Sequence, residues 1–67
     1  METYQEGAEE ERAELNRKIQ KLAGFVESTR FADVDRAEQI RLIEQLGVMR
    51  IYSAILTRRI VLFELEA

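Results

Sequence analysis

The chain has 67 residues, 13 of them acidic and 10 basic, and it contains no cysteine, histidine or proline. A core of this size supplies only about 3–5 kcal/mol, and neither disulfides nor the usual zinc ligands can add to it. The net charge of −3 argues against a partner such as a DNA or RNA polymer or an anionic membrane, because both call for a broad positive field. Self-association is the remaining way to gain buried surface.

Helix-forming residues dominate the chain and no strand-like alternation is sustained, so the sequence predicts an all-α fold in one domain, 1–67. The first helix is expected over about 8–27, with glutamates in its first turns that suit the helix dipole. Its single apolar stripe contains Leu15, Ile19, Leu22, Phe25 and Val26. The polar N-terminus is unlike a signal peptide and no apolar run could span a membrane, so a cytosolic protein is expected.

Residues 28–34 are expected to connect the two helices, with Phe31 closing the end of the core. Asp35 followed by Glu38 has the pattern of a capping box, in which Asp35 accepts a hydrogen bond from the amide three residues further on. Asp33 is the competing N-cap. The sequence therefore predicts that the second helix starts directly after one of these two N-cap residues.

The second helix is expected over about 35–64, antiparallel to the first, with Gly47 as a candidate position for a bend. It carries two neighbouring apolar stripes. The first has heptad spacing and contains Leu42, Leu46, Met49, Ser53, Leu56, Ile60 and Phe63; the second contains Val48, Tyr52, Ile55, Arg59 and Leu62. One stripe can pack within the subunit, so the second predicts contact with other copies. The helix lengths also predict that about ten residues overhang the first helix as an apolar patch.

Catalysis is not expected, because no side chain in the sequence is placed to activate a hydroxyl or to act as a general base in a cleft. No cofactor is expected, and the clustered glutamates do not predict a metal site. Arg17, Lys18 and Lys21 lie within one turn, where they either pair with acids such as Glu14 or bind an anion. Arg59 either forms an ion pair between subunits or binds a ligand.

Tyr4 precedes the expected first helix, where an aromatic ring has no core to join within the subunit. It is expected to stack on a base or on a neighbouring subunit. If the helix were continuous through Gly7, Tyr4 and Lys18 would share a face but stand about 21 Å apart. They would then meet one small ligand only if different subunits contributed them, or if the chain folded back at Gly7.

An ordered set of short motifs resembles a known family. The set consists of Tyr4-Gln5, the run 11–22, Phe25-Val26-Glu27, Ala37-Glu38-Gln39, Gln45-Leu46, Met49, the run 52–56 and Arg59-Ile60. Together these motifs look like a family of very short bacteriophage proteins that act as anti-CBASS cyclic-oligonucleotide sponges. The resemblance extends over nearly the whole chain, from Tyr4 to Ile60.

The resemblance implies a helical homohexamer that binds cyclic dinucleotides such as 3′,3′-cyclic GMP-AMP without cleaving them, and cyclic trinucleotides at a separate site. It also implies action in the cytoplasm of the infected bacterial host, where CBASS effectors are kept inactive. By position, Lys18 matches a lysine that contacts the dinucleotide phosphate, and Tyr4 matches a tyrosine that stacks on a base. Arg59 matches an arginine of the trinucleotide site. The stretch Gly7-Ala8-Glu9 departs from the family pattern, which predicts a loosely held Tyr4.

A rival interpretation belongs to another class of protein. In it, the chain is a helical-hairpin adaptor or structural protein whose second stripe binds a different protein. The two interpretations diverge at Lys18, which a sponge needs for its ligand and an adaptor does not.

Overall fold

The computed structural model describes residues 4–66. Two α-helices, α1 (Tyr4–Val26) and α2 (Arg36–Glu66), are joined through a short 3₁₀ helix, Thr29–Asp33. No strand occurs in this part of the chain, which confirms the all-α prediction. The expected limits of the domain, residues 1 and 67, lie outside the described range.

The start of α1 differs from the expected position near residue 8, because the helix begins at Tyr4 and runs through Gly7. Glycine in a helix interior costs about 1 kcal/mol. Contacts on either side of Gly7 offset this cost, since Ala8 is buried and the Tyr4 ring packs beside Phe63 of α2. Tyr4 therefore belongs to the first helical turn and does not form an arm separate from the helix.

The heptad stripe of α2 packs against α1, as its spacing predicts. Leu46 and Ile60 are buried, and Leu56 is fully buried. Half-buried side chains continue the seam on both helices: Leu42, Met49 and Ser53 on α2, and Leu15, Ile19, Leu22, Phe25 and Val26 on α1. This apolar seam is the core of the hairpin.

Phe31 closes the connection end of the seam, as predicted. Its ring meets Phe25 edge-on, with 5.9 Å between the ring centroids. The side-chain amide of Gln39 donates to the Phe31 carbonyl at 2.8 Å, and the Ser28 hydroxyl donates to the Phe25 carbonyl at 2.6 Å. These bonds tie both helix ends to the 3₁₀ turn, at carbonyls that also accept the backbone N–H groups of Ser28 and Val34.

Asp35 caps α2, although not through the predicted capping box. Its Oδ2 accepts a hydrogen bond from the amide of Ala37, two residues further on, at 3.2 Å. The Glu38 carboxylate instead pairs with Arg41, with 2.8 Å between Oε1 and Nε. In a capping box, the Glu38 carboxylate would accept a hydrogen bond from the backbone amide of Asp35. Here that carboxylate forms an ion pair with Arg41 instead.

The predicted overhang of α2 is wrong, because the longer α1 reaches the level of Phe63. The Tyr4 and Phe63 ring centroids are 6.3 Å apart, which leaves only residues 64–66 of α2 beyond the contact. The hairpin is long and thin, with extents of 49 × 18 × 16 Å. Its radius of gyration is 15.2 Å, against about 11 Å for a compact domain of this length.

A second apolar surface lies along the side of α2 that α1 does not cover. We call it the outer face, and its exposed residues are Ile40, Ile43, Val48, Ile51, Ile55, Val61, Leu62 and Leu65. The second stripe that the sequence predicts is therefore divided. Val48, Ile55 and Leu62 belong to the outer face, whereas Tyr52 and Arg59 bond to side chains of α1.

Replacing Leu56 by alanine tests whether the seam holds the hairpin together. Leu56 is 0% exposed, so the change should lower the free energy of unfolding by about 2–5 kcal/mol. Circular dichroism during urea or thermal unfolding, at one fixed protein concentration, measures the loss. The control is Arg30→Ala, because Arg30 is exposed in the connection and lies outside the outer face, so the change should alter stability by less than about 0.5 kcal/mol. Equal losses in the two variants would contradict this packing.

Candidate ligand-binding site

Hydrogen bonds between side chains border the apolar seam on one side at the open end of the hairpin. Nη2 of Arg59 donates to the Tyr4 hydroxyl, and the Tyr52 hydroxyl donates to Oε2 of Glu11. The two bonds are seven residues apart on each helix, which is one heptad. The heptad spacing that builds the seam therefore also places this polar border.

The other side of the seam has its own polar border. Nη1 of Arg12 donates to Oγ1 of Thr57 at 3.3 Å, and the Ser53 hydroxyl donates to Oδ1 of Asn16 at 2.6 Å. Tyr52 and Ser53 are adjacent in sequence and thus point about 100° apart around α2. Both borders therefore contact α1, and together they fix the register of the two helices.

The Glu11 carboxylate holds the pKa of Tyr52 above its ordinary value of 10.0. The main cause is the hydrogen bond that the phenol donates to this carboxylate, because the bond exists only in the protonated form. Partial desolvation and the negative charge of Glu11 act in the same direction, and the positive charge of Arg59 opposes them. Tyr52 is therefore a protonated hydrogen-bond donor at neutral pH.

Tyr4 lies in the first turn of α1, beside the last turns of α2. Cζ of Arg59 is 5.2 Å from the centroid of the Tyr4 ring, and the Phe63 ring is stacked beside it with an interplanar angle of 28°. The Tyr4 side chain is nevertheless 69% exposed. An aromatic ring flanked by a cation thus remains accessible at this end of the molecule.

Phe63 is a contact of this site that the sequence interpretation missed. The signal was present, because Phe63 is the last position of the heptad stripe. A prediction that started the first helix at Tyr4 would have placed the Tyr4 ring opposite the Phe63 ring at the end of the hairpin.

Arg59 is half-buried, and its guanidinium is engaged within the protomer. It makes both the hydrogen bond to the Tyr4 hydroxyl and the cation–π contact with the Tyr4 ring. From the sequence, an ion pair between subunits and a ligand contact were the two alternatives for this residue. The structure contains a third arrangement, in which Arg59 contacts Tyr4 of the same chain.

Lys18 lies in the middle of α1 and is exposed, as are Arg17 and Lys21. The alternative in which these residues pair with Glu14 is not what the structure contains. Within residues 4–66, none of the three basic side chains makes an ion pair or hydrogen bond to another residue. Three positive groups within one helical turn are therefore open to an anion.

The two residues expected at the dinucleotide site are far apart in one protomer. Tyr4 and Lys18 are fourteen residues apart on the same continuous helix, which corresponds to about 21 Å along its axis. One protomer brings Tyr4 next to Arg59 and leaves Lys18 distant from both. A fold-back at Gly7, which the sequence left open, does not occur.

Over residues 4–66 the structure contains no closed pocket and no group of acidic, cysteine or histidine side chains that could hold a metal ion. No helix in this range is both long and apolar enough to cross a membrane.

The described residues form a small two-helix hairpin with an exposed aromatic ring at its open end. The chain matches the Sequestin family over residues 2–62 and belongs to that family. The family's name agrees with the cyclic-oligonucleotide sponge family that the sequence resembles, and it indicates a binding role rather than a catalytic one. No curated protein and no solved structure matches the chain.

The Tyr52–Glu11 contact predicts a stability loss at alkaline pH. Because the folded-state pKa of Tyr52 is raised, the contact stabilises the fold below the pKa of the unfolded phenol, and this contribution is lost as pH rises through the folded-state value. Absorbance titration of the phenolate in a Tyr4→Phe background, where Tyr52 is the remaining tyrosine, measures the pKa directly. Adding Glu11→Gln should lower it. An unchanged titration would contradict the contact.

Proposed function

We propose that the protein is a homo-oligomeric sponge for cyclic oligonucleotide second messengers. It binds cyclic dinucleotides such as 3′,3′-cyclic GMP-AMP, and cyclic trinucleotides at a second site, and it releases them uncleaved. By lowering the free messenger concentration in the cytoplasm of a phage-infected bacterium, it keeps CBASS effectors inactive. The observation that carries this proposal is membership of the Sequestin family over residues 2–62.

The large exposed surface of one protomer supports assembly. The chain exposes 5261 Å², whereas a compact monomer of 7.8 kDa exposes about 4,400 Å². The excess follows from the long, thin shape of the hairpin. A row of exposed apolar residues along one side is typical of an interface, and a hexamer, as the resemblance implies, would cover the outer face with further copies of the chain.

Assembly also supplies the geometry that the dinucleotide site needs. Tyr4 and Lys18 are about 21 Å apart along one helix, so we assign one of them to each of two neighbouring protomers. Tyr4 offers a stacking surface of about 1–3 kcal/mol per base. Lys18 offers a charge-assisted hydrogen bond to a phosphate. The exposure of both side chains is compatible with these roles.

The trinucleotide site is assigned to Arg59. A guanidinium can bind two phosphate oxygens at once, and several copies gathered near a symmetry axis would repel one another unless a multiply charged anion lay between them. This arrangement favours a ligand with three phosphates. Neither site includes a group that would activate water, which suits sequestration of an intact ligand.

The outer face also supports a second candidate, an adaptor that binds a different protein. In that case Lys18 would have no role in function, and the apolar residues of the outer face would make the contact. The variants below separate the two candidates.

Replacing Lys18 by alanine should lower the affinity for 3′,3′-cyclic GMP-AMP by about ten- to a hundredfold, the effect of losing one charge-assisted hydrogen bond. Isothermal titration calorimetry measures the affinity, and analytical ultracentrifugation should show an unchanged oligomer. The control is Arg36→Ala, which removes an exposed positive charge at the start of α2, outside the basic cluster of α1, and should bind nearly as the wild type. Wild-type affinity in Lys18→Ala would sink the assignment of this residue.

Placing a charge on the outer face should dissociate the oligomer. Leu62→Asp and Ile55→Asp each introduce a carboxylate into exposed apolar surface, where burial against another copy would carry a large desolvation penalty. Size-exclusion chromatography with light scattering should report a smaller species for both variants. The control, Ala32→Asp in the exposed connection, should assemble normally. An intact oligomer in both outer-face variants would place the interface elsewhere.

A further inference from the structure

The contact between Tyr4 and Arg59 joins two residues that the proposed function assigns to different ligands. Arg59 both donates a hydrogen bond to the Tyr4 hydroxyl and lies over the Tyr4 ring, 5.2 Å from its centroid. The side chains come from opposite helices, 55 positions apart in the sequence. The contact is therefore a product of the fold and not of local sequence.

Each side chain uses, in this contact, the atoms that its ligand would need. A base that stacks on Tyr4 needs a face of the ring, and Arg59 lies over one face while Phe63 is packed beside the ring. A phosphate that binds Arg59 needs guanidinium N–H groups, and one of these is directed at the Tyr4 hydroxyl. Each residue thus competes with the other's ligand.

We propose that Tyr4 is a positioning residue of the Arg59 site, which it occupies in the free protein and releases when a base takes up its ring. The two ligand sites are then coupled positively, because a dinucleotide that recruits Tyr4 leaves the Arg59 guanidinium open for a phosphate. Coupling of this kind is reciprocal, so a trinucleotide that recruits Arg59 also frees Tyr4. The inference rests on the proposed function and adds a link between its two sites.

Phe63 provides a second contact for Tyr4. The two ring centroids are 6.3 Å apart, and this contact does not involve the guanidinium, so in the proposal it holds the tyrosine at the end of the hairpin when Arg59 leaves. The coupling therefore requires only a local shift of side chains, and α1 remains packed on α2.

The size of the coupling is limited by the strength of the contact. Exposed cation–π contacts correspond to a factor of about two to five in affinity, and Tyr4 is largely exposed. Saturating 3′,3′-cyclic GMP-AMP should accordingly raise the affinity of the wild-type protein for cyclic triadenylate by about two- to fivefold.

Isothermal titration calorimetry of the full chain tests the proposal, with cyclic triadenylate titrated in the absence and presence of saturating 3′,3′-cyclic GMP-AMP. Tyr4→Ala should bind the trinucleotide about two- to fivefold more tightly than the wild type without any dinucleotide, and added dinucleotide should have no further effect. Tyr4→Phe keeps the ring and removes the hydroxyl that accepts the bond from Arg59, so saturating dinucleotide should raise its trinucleotide affinity by a smaller factor than in the wild type. If Tyr4 had only a structural role, neither Tyr4→Ala nor saturating dinucleotide would raise the affinity for cyclic triadenylate.

The reciprocal variant provides an independent test. Arg59→Ala should bind 3′,3′-cyclic GMP-AMP about two- to fivefold more tightly, because the guanidinium no longer competes for the Tyr4 ring. Its control is Arg58→Ala, which removes the same charge from the adjacent, exposed position and should leave the dinucleotide affinity unchanged.

The possible failures are distinguishable. Two bound ligands with independent affinities, and no gain in Tyr4→Ala or Arg59→Ala, would overturn the coupling and leave the proposed function standing. A wild-type protein that binds neither ligand would overturn both.

Discussion

The structure depends on one constraint: a single short helix can cover only one face of α2. The apolar residues of α2 lie around much of its circumference, and a helix of this kind is ordinarily buried on several sides. α1 covers the seam that includes Leu46, Leu56 and Ile60, and the outer face stays exposed. The hairpin consequently leaves an apolar face uncovered, and this face is the structural support for the proposed assembly.

The position of the uncovered surface determines which parts of neighbouring protomers would be in contact. An overhang at the end of α2 would favour contacts between hairpin tips. The contact of Tyr4 with Phe63 removes that overhang, and the surface left uncovered extends along the side of α2 instead. The shared site of Tyr4 and Lys18 that we propose lies on α1, so it would also require contacts between the α1 helices of neighbouring protomers.

Much of the fold was predictable because it follows from helical periodicity. The heptad stripe predicted which residues of α2 face α1, and Phe31 and Asp35 marked the connection. The start of α1 was not predictable from Gly7 alone, because the helix is extended by a tertiary contact across 59 positions between Tyr4 and Phe63. For the same reason the partners of Tyr52 and Arg59 were missed. Stripe position does not say whether a polar residue at the edge of a seam bonds to its own chain or to another.

The central claim is that the hairpin assembles and holds intact cyclic oligonucleotides. Native mass spectrometry of the purified protein, with and without 3′,3′-cyclic GMP-AMP and cyclic triadenylate, tests it most directly. The account predicts a hexamer that gains whole ligand masses, with both ligands recovered uncleaved after denaturation. A monomer, or an oligomer that gains neither ligand, would contradict it.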